Sequence, residues 1–142
     1  NKIVKLLLWD TGGGDRFLSI TRSYFQKKDI FLVFFALNDI NSLIRLDYWI
    51  NIINNDNENL DKSSIIVIGT KKDIQNINPE IILNNTKQYS YIETSIYDHE
   101  SIFSILPLIQ SKIKKLQLLE KKDLEKNNYV EKKTRICCPF FL

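Results

Sequence analysis

The feature that most constrains this chain is the alternation of short, continuous apolar runs with stretches of helical periodicity. Residues 30–37 and 65–68 are apolar at consecutive positions, as strands buried on both faces of a sheet require. Between these runs, apolar residues recur at the spacing of a helix, at Leu43, Leu46, Ile50 and Ile53. Strands that alternate with helices are typical of parallel sheets covered by helices. The sequence therefore predicts an α/β fold with ligands at the carboxyl ends of the strands.

Two more strands and three helix starts complete the predicted order of elements. Residues 2–8 and 91–94 are predicted to be strands, and the polar residues 54–62 a loop. Helices are expected to begin where a side chain can cap the first turn, at Asn38 or Asp39 and at Asp98. Another is expected to begin at Asn78-Pro79, because proline is tolerated at the first position of a helix. Pro107 should kink or shorten the last helix, whose apolar face is Ile102, Ile105, Ile109, Ile113 and Leu116.

Length and composition bound the class of protein. At 142 residues, 44% of them hydrophobic, the chain is long enough for one core and too apolar to remain disordered. It has no signal peptide and no apolar run of about 18 residues, so the sequence indicates neither secretion nor a membrane span. It also contains no Met, and we therefore expect a fragment that lacks the N-terminal part of its parent.

Positive charge is concentrated towards the end of the chain. Residues 112–135 hold nine basic and four acidic side chains, a net charge of +5, whereas the whole chain carries +3. Two interpretations stay open. One is a solvated helix face followed by a disordered tail, and the other is a basic tail attracted to an anionic membrane by about 1 kcal/mol per basic residue. Nucleic-acid binding is not expected, because no basic patch is interleaved with aromatic residues outside the tail.

A motif after the first predicted strand has the residues of a phosphate and metal site. It runs Trp9-Asp10-Thr11-Gly12-Gly13-Gly14-Asp15-Arg16-Phe17. A carboxylate such as Asp10 at the end of a buried strand can hold a water of a Mg²⁺ ion. The amide of a glycine such as Gly13 can approach a terminal phosphate closely, because glycine carries no side chain.

A second motif, Gly69-Thr70-Lys71-Lys72-Asp73, follows the strand predicted at residues 65–68. The carboxylate of Asp73 can accept both the ring N–H and the exocyclic amine of guanine, a donor pair that adenine does not offer. Lys71 supplies an apolar stem that packs on a base and an ammonium group that closes the site. Taken alone, these residues are also those of an ordinary charged turn.

Three motifs in this order resemble those of small GTPases of the Rab family. The first resembles WDTAGQERF and the second resembles the TKxD form of the guanine motif NKxD. The third, Glu93-Thr94-Ser95-Ile96-Tyr97, resembles ETSAK with Ile and Tyr in place of Ala and Lys. Residues 16–25 also resemble RFRSITRSYY, and residues 42–50 follow the pattern S-F-x-x-L-x-x-W-L. The resemblance covers residues 2–119, and the joint occurrence of the motifs makes it specific.

The resemblance implies a particular fold and domain organisation. It implies a P-loop-NTPase-like small GTPase domain over residues 1–119, with a mostly parallel sheet flanked by helices but without its first strands and phosphate loop. It implies a flexible basic tail with a terminal cysteine pair over residues 120–142. In this family the first strand lies at the sheet centre, between the strands predicted at residues 2–8 and 30–37. Without it, both neighbours should be left unpaired or should pair with each other directly.

The resemblance also assigns roles to individual residues. Contacts with the nucleotide are implied for Asp10, Gly13, Thr70, Lys71, Asp73, Ser95 and Ile96, and Asp10 would hold Mg²⁺ through water. Trp9 and Tyr24 match two members of an aromatic triad that recruits effectors, although two aromatic residues on one apolar patch also fit plain core packing. Gly14 stands at the position of the catalytic glutamine. Hydrolysis is therefore expected to be slow unless a partner supplies the missing group.

The function implied by the resemblance is a nucleotide-controlled switch in vesicle traffic whose GTP-bound form recruits effectors. The implied partners are GTP or GDP with Mg²⁺, effector proteins, an exchange factor and a GTPase-activating protein. The implied location is the cytoplasmic face of an intracellular membrane, in exchange with the cytosol. The competing interpretation is a degenerate, non-catalytic family member that binds partners without cycling, which Gly14, Ile96 and Tyr97 favour.

The two cysteines of the chain, Cys137 and Cys138, are adjacent and almost terminal. Such a pair fits neither a disulfide framework nor a zinc site, both of which need residues spread along the chain. Rab proteins end in paired cysteines that carry two geranylgeranyl groups, and two lipids are what stable anchoring requires. The resemblance therefore implies lipidation of both cysteines, although four residues follow the pair where the usual Rab ends allow fewer. Free thiols are the alternative.

Overall fold

The computed structural model describes residues 5–57, 61, 64–123 and 133–140. Within these residues one sheet contains five strands, namely β1 (Lys5–Gly12), β2 (Ile30–Ala36), β3 (Ile65–Thr70), β4 (Ser90–Glu93) and β5 (Lys133–Phe140). The helices are α1 (Leu18–Phe25), α2 (Ile40–Asp56), α3 (Pro79–Thr86), α4 (His99–Phe103) and α5 (Ile105–Asp123). All paired strands are parallel, which confirms the predicted α/β fold.

The order of the strands across the sheet is β1-β5-β2-β3-β4. β5, the last of these strands in sequence, therefore lies between the first two. It pairs with β1 along its whole length and with β2 at three positions. The expectation that the strands near residues 2–8 and 30–37 would be unpaired, or paired with each other, is wrong because β5 separates them.

The two faces of the sheet are covered by different helices. On one face, α1, α2 and α3 contribute buried side chains to the core, namely Phe25, Leu43, Leu46, Trp49, Ile50, Ile53 and Ile82. The Phe25 ring packs edge-on against Phe31 and Trp49, with ring centroids 5.9 and 6.4 Å away. On the other face, α5 places Ile109 and Ile113 against the strands. The helical periodicity of the sequence is thus confirmed as the buried face of α2.

The predicted helix starts are confirmed by capping hydrogen bonds. Backbone amides of the first turn donate to Oδ1 of Asp39 (2.9 Å), Asn78 (2.8 Å) and Asp98 (3.2 Å). These amides have no partner inside the helix, so each cap stabilises its helix by about 0.5–2 kcal/mol. The helix that follows Asp98 is divided into α4 and α5, and Pro107 falls in the first turn of α5, where its missing N–H costs little. The division falls at Ser104, three residues before Pro107, which was expected to kink or shorten this helix.

Two boundaries differ from the sequence prediction. β1 continues beyond the predicted end at residue 8 to Gly12, the first glycine of the motif, because β5 supplies ladder partners that far. Residues 2–4 of that predicted strand lie outside the described residues. α2 continues to Asp56 instead of giving way to a loop at residue 54, and Asn57 caps it by donating its side-chain amide to a carbonyl of the last turn at 2.8 Å.

The expectation of a flexible tail over residues 120–142 is wrong where the structure describes that segment. α5 extends to Asp123, and residues 133–140 form the central strand β5. Ile136 is fully buried in β5. Burial of apolar surface therefore stabilises β5 within the sheet, although the basic charge near the end of the chain favoured a solvated tail. The intervening residues 124–132 lie outside the described residues.

Candidate functional site

The carboxyl ends of three strands bring the sequence motifs to one edge of the sheet. We call residues 69–73 and 93–97, which follow or end β3 and β4, the β3–β4 end. We call residues 9–17, which end or follow β1, the β1 end. Because the sheet is parallel, both ends share the edge at which open α/β sheets bind ligands.

At the β3–β4 end, a hydrogen bond joins Asp73 to Ser95. The Ser95 hydroxyl donates to Asp73 Oδ1 at 2.5 Å and accepts from the backbone N–H of Tyr97 at 3.1 Å. Ser95 is only 5% exposed, and its own N–H donates to the hydroxyl of Ser101 at 3.1 Å. Asp73 itself is exposed. A buried serine therefore orients a carboxylate that a ligand can reach.

Backbone hydrogen bonds hold the two loops of this end together. The N–H of Lys72 donates to the carbonyl of Thr94 at 3.0 Å, and the N–H of Thr94 donates to the carbonyl of Gly69 at 2.7 Å. The hydroxyl of Thr70 donates to a carbonyl of β2 at 3.0 Å. Lys71 has a left-handed backbone (φ 60°, ψ 39°), which turns the chain sharply after β3 and leaves its side chain exposed.

Gly69, Tyr91 and Glu93 support this end from within the sheet, a role that was not predicted from the sequence. The Tyr91 hydroxyl donates to Glu93 Oε1 at 2.9 Å, and its ring stacks on Phe35 at 6.2 Å. Burial raises the pKa of Tyr91 well above its ordinary value. A Cβ on Gly69 would come within 2.9 Å of that hydroxyl and 3.0 Å of Leu37. The available signal was the spacing of Tyr91 and Glu93, which places them on one face of a strand.

The β1 end contains Asp10 and the glycines. Asp10 is exposed on β1. Thr21 of α1 donates its hydroxyl to the carbonyl of Gly12 at 3.0 Å and so joins the helix to the end of the strand. Within the described residues no glycine has a positive φ, so this backbone does not require glycine. A Cβ on Gly14 would lie 3.7 Å from the Phe17 ring, which is an ordinary contact.

The donors at the β1 end fit a Mg²⁺ ion only in part. Mg²⁺ keeps several waters and is usually bound by one or two carboxylates together with phosphate oxygens. Asp10 is such a carboxylate, and the half-buried Gly13 follows directly after β1. Across the ranges that the structure describes, no cluster of three His, Cys, Asp or Glu side chains could hold a metal. Asp10 can therefore supply one water-mediated contact, and the remaining ligands must come from elsewhere.

Trp9 and Tyr24 lie on different elements beside the β1 end. Trp9 on β1 is half-buried, and Lys28 Nζ lies 4.4 Å from its ring centroid, within the range of a cation–π contact. Tyr24 on α1 is exposed, as are Ile20, one helical turn earlier, and Phe17, which directly precedes α1. Core packing therefore does not account for Tyr24.

Cys137 and Cys138 lie within β5 and not on a free chain end. Cys137 is fully buried and Cys138 is half-buried. Burial raises the pKa of the Cys137 thiol to about 11 and that of the Cys138 thiol to about 12. Both thiols are therefore protonated near neutral pH, and that of Cys137 is also shielded in this conformation.

In the described part of the chain, no helix combines the length and the apolar character needed to cross a bilayer.

Known proteins of one family match most of this chain. A family model described as the Ras family matches residues 1–115. Ras-related protein Rab-5B of Plasmodium falciparum is 33% identical over 113 residues, which cover 78% of this chain and 54% of the relative. Ras-related protein Rab-11B of Dictyostelium discoideum is 32% identical over 108 residues, which cover 72% of this chain and 48% of the relative. A probable Rab-related GTPase of Acanthamoeba polyphaga mimivirus is 25% identical over an alignment that covers 96% of this chain and 71% of the relative. The chain thus spans about half the length of the first two relatives.

Proposed function

The chain belongs to the Rab family of small GTPases, and from that premise we propose that its parent protein is a guanine-nucleotide switch in vesicle traffic. In this proposal GTP sets the conformation of residues 12–27, which then recruit effector proteins. An exchange factor and a GTPase-activating protein set the balance between the GTP and GDP forms. The observation that carries the proposal is the Asp73–Ser95 pair at the carboxyl edge of the sheet.

In the proposed site, Asp73 reads the base. Its carboxylate accepts the ring N–H and the exocyclic amine of guanine, whereas adenine would leave the carboxylate without these donors. Ser95 supports this role because its hydroxyl holds Asp73 at 2.5 Å. Lys71, exposed beside the turn, covers the base with its aliphatic stem, and Thr70 anchors the loop to β2. The backbone amide of Ile96 donates to the guanine carbonyl, a role that does not depend on its side chain.

At the β1 end, we assign Asp10 and Gly13 to the phosphates. Asp10 contacts Mg²⁺ through a water, and the N–H of Gly13 donates to the terminal phosphate without a side chain in the way. Bound Mg²⁺ would neutralise part of the phosphate charge. These 142 residues contain no GxxxxGK[ST] sequence, so the other polyphosphate contacts need other residues.

Gly14 sets the expected rate of hydrolysis. The glutamine found at this position in the family orients the attacking water, and in Ras an arginine from a partner protein accelerates the reaction by roughly 10⁵-fold. Glycine has no side chain with which to orient a water. GTP hydrolysis by the parent protein is therefore proposed to be slow unless a partner supplies the missing group.

Membrane attachment is proposed to use prenyl groups on Cys137 and Cys138, at the cytoplasmic face of an intracellular membrane. Two lipid chains suffice for stable anchoring, and the net charge of +5 over residues 112–135 adds attraction to anionic lipids. Attachment requires β5 to leave the sheet, because Cys137 is fully buried in it. Trp9 and Tyr24 are the proposed effector contacts, and the exposure of Tyr24 supports its part.

Replacement of one carboxylate tests the guanine assignment. The wild-type chain and Asp73→Asn are titrated with GDP, ADP and xanthosine diphosphate, with binding followed by NMR. The wild-type chain should prefer GDP to ADP. Asp73→Asn should bind GDP about tenfold or more weakly, because a charged hydrogen-bond acceptor is lost, and should favour xanthosine diphosphate, whose exocyclic oxygen can accept from the new amide.

The matched control is Asp47→Asn, the same chemical change at an exposed position of α2. It should leave the order and strength of binding of all three nucleotides unchanged. Equal affinity of the wild-type chain for GDP and ADP would contradict the guanine assignment.

A second candidate function is a binding module that does not cycle between nucleotides. Gly14 favours it, and so do Ile96 and Tyr97, which are 74% and 79% exposed where the family motif has Ala and Lys. Exposed apolar neighbours of this kind suit a protein contact. For such a module neither nucleotide exchange nor hydrolysis would alter partner binding. The coding sequence upstream of Asn1 would then lack a GxxxxGK[ST] loop.

A further inference from the structure

β5 fills the place between β1 and β2 in the sheet with residues that are distant from both in sequence. Its ladder with β1 is continuous along all eight residues of each strand. Ile136 and Cys137 are fully buried, and Thr134 is 5% exposed. Ile136 belongs to the apolar cluster under α5, whereas Cys137 belongs to the cluster under α1, α2 and α3. The strand is therefore packed on both faces while it is in place.

The ladder on the other side of β5 is interrupted. β5 pairs with β2 at Ile136, Cys137 and Phe140, and within these two described strands the ladder skips Cys138 and Pro139. Proline has no N–H to donate, which is why it is rare in central strands. Pro139 is therefore a poor fit for the central place that β5 takes, and the missing hydrogen bond weakens the docked strand.

The start of β5 is held by a pair of hydrogen bonds that water can replace. Asp29 Oδ2 accepts from the backbone N–H of Arg135 at 2.7 Å, and the N–H of Asp29 donates to the carbonyl of Arg135 at 2.9 Å. Asp29 is half-buried and Arg135 is exposed, so both groups can be solvated once the strand leaves. β5 is otherwise held by the burial of Thr134, Ile136 and Cys137, by its three pairs with β2, and by the ladder with β1, which is itself an edge strand.

We propose that β5 is a reversible strand latch, which leaves its slot between β1 and β2 by local opening while β2, β3 and β4 stay folded. Release exposes the fully buried thiol of Cys137 and the rest of the half-buried Cys138. It also clears the β1 end, because the last residue of β5, Phe140, pairs with Gly12. The strand latch is inferred from strand pairing and side-chain burial alone. Only its consequence, that lipid attachment to Cys137 and Cys138 waits for release, rests on the proposed function.

Alkylation by iodoacetamide reports this opening in the full 142-residue chain. An exposed thiolate attacks the reagent, forms a carbon–sulfur bond and releases iodide, whereas a buried thiol does not react. Rates at each cysteine are read by mass spectrometry at constant pH, at urea concentrations below the unfolding transition. Cys137, which is fully buried, should react more slowly than in the unfolded chain but faster than global unfolding allows, with little dependence on urea.

Matched variants separate local opening from global unfolding. Ile136→Val removes one methylene from β5 and should speed alkylation about three- to tenfold. Pro139→Val restores an N–H to the ladder and should slow it about two- to tenfold. Ile82→Val makes the same deletion at a similarly buried position of α3 and should leave the rate without urea unchanged.

Either of two results would overturn the strand latch. Equal acceleration by Ile136→Val and Ile82→Val would mean that the thiols become exposed only by global unfolding. Alkylation of the native chain at the rate of the unfolded chain, with no effect of Pro139→Val, would mean that β5 does not dock. Neither result depends on lipids. A parent protein that is never prenylated in cells would contradict the proposed anchoring and leave the strand latch standing.

Discussion

The two ends of the candidate site are held by contacts of very different range. At the β3–β4 end, Asp73 and Ser95 are joined directly, within a segment that spans residues 69–97. At the β1 end, Asp10 lies on a strand whose neighbour is β5, and its ladder partner is Cys138. The proposed recognition of the base can therefore be a property of one short segment, whereas the proposed phosphate contacts depend on which strand lies beside β1.

The strands at the two ends also differ in how deeply they are buried. β3 is buried along its first five residues and pairs with a strand on each side. β1 lies at the edge of the sheet, with Leu8 63% exposed. Edge strands with exposed apolar side chains are the part of a sheet most open to pairing with other segments. The β1 end is therefore the less tightly constrained of the two.

Gly69→Ala should break the β3–β4 end and have the largest effect on stability. The added Cβ would meet the Tyr91 hydroxyl at 2.9 Å and Leu37 at 3.0 Å. Neither side chain can easily give way, because Tyr91 is hydrogen-bonded to Glu93 and Leu37 is fully buried. Overpacking of this kind should lower the free energy of unfolding by about 1–3 kcal/mol. Urea titration followed by circular dichroism measures that change.

Gly12→Ala is the matched change at the β1 end. Its Cβ would lie 3.6 Å from the Phe17 ring, an ordinary contact, and Gly12 does not have a positive φ. Alanine loses less backbone entropy than glycine in a strand, so the free energy of unfolding should stay level or rise by about 0.5–1 kcal/mol. Equal losses in the two variants would show that both ends are packed alike.

Elements with a local apolar pattern could be predicted from the sequence, whereas β5, which lacks such a pattern, could not. The apolar runs that became β2 and β3, and the periodicity of α2, specify burial by themselves. β5 combines basic residues, adjacent cysteines and Pro139, which are atypical of a central strand. Its place depends on pairing with β1, in which Lys133 lies opposite Lys5.

The same distinction applies inside the candidate site. The order of the strands was enough to place Asp73 and Ser95 at one edge, and the structure joins them by a hydrogen bond. The tight packing of Gly69 depends on the register of β3 and β4, which sets Gly69 opposite Glu93. Register between separate strands depends on how they pack, so the sequence pattern did not reveal it. The burial of Cys137 could not be predicted for the same reason. It results from the pairing of β5 with β1 and β2.

Gly14→Gln should have the smallest effect on folding and sharpen the description of the β1 end. The Cβ would meet only Phe17 at 3.7 Å and Arg16 at 4.0 Å, so the free energy of unfolding should change by less than about 0.5 kcal/mol. In the parent protein, single-turnover hydrolysis at saturating GTP should rise, alone or with an activating partner, because glutamine can orient the attacking water. A rapid rate with Gly14 that glutamine does not change would show that another residue positions the water.

Binding of the nucleoside without its phosphates separates the two ends most directly. The wild-type 142-residue chain is titrated with guanosine, adenosine and GDP, with NMR used to measure each dissociation constant. Guanosine should bind more tightly than adenosine, because the β3–β4 end reads the base. GDP should bind no tighter than about 1 mM and within about threefold of guanosine, because these residues contain no GxxxxGK[ST] loop to hold the phosphates. Micromolar binding of GDP, far tighter than that of guanosine, would contradict this division of the site, and so would equal binding of guanosine and adenosine.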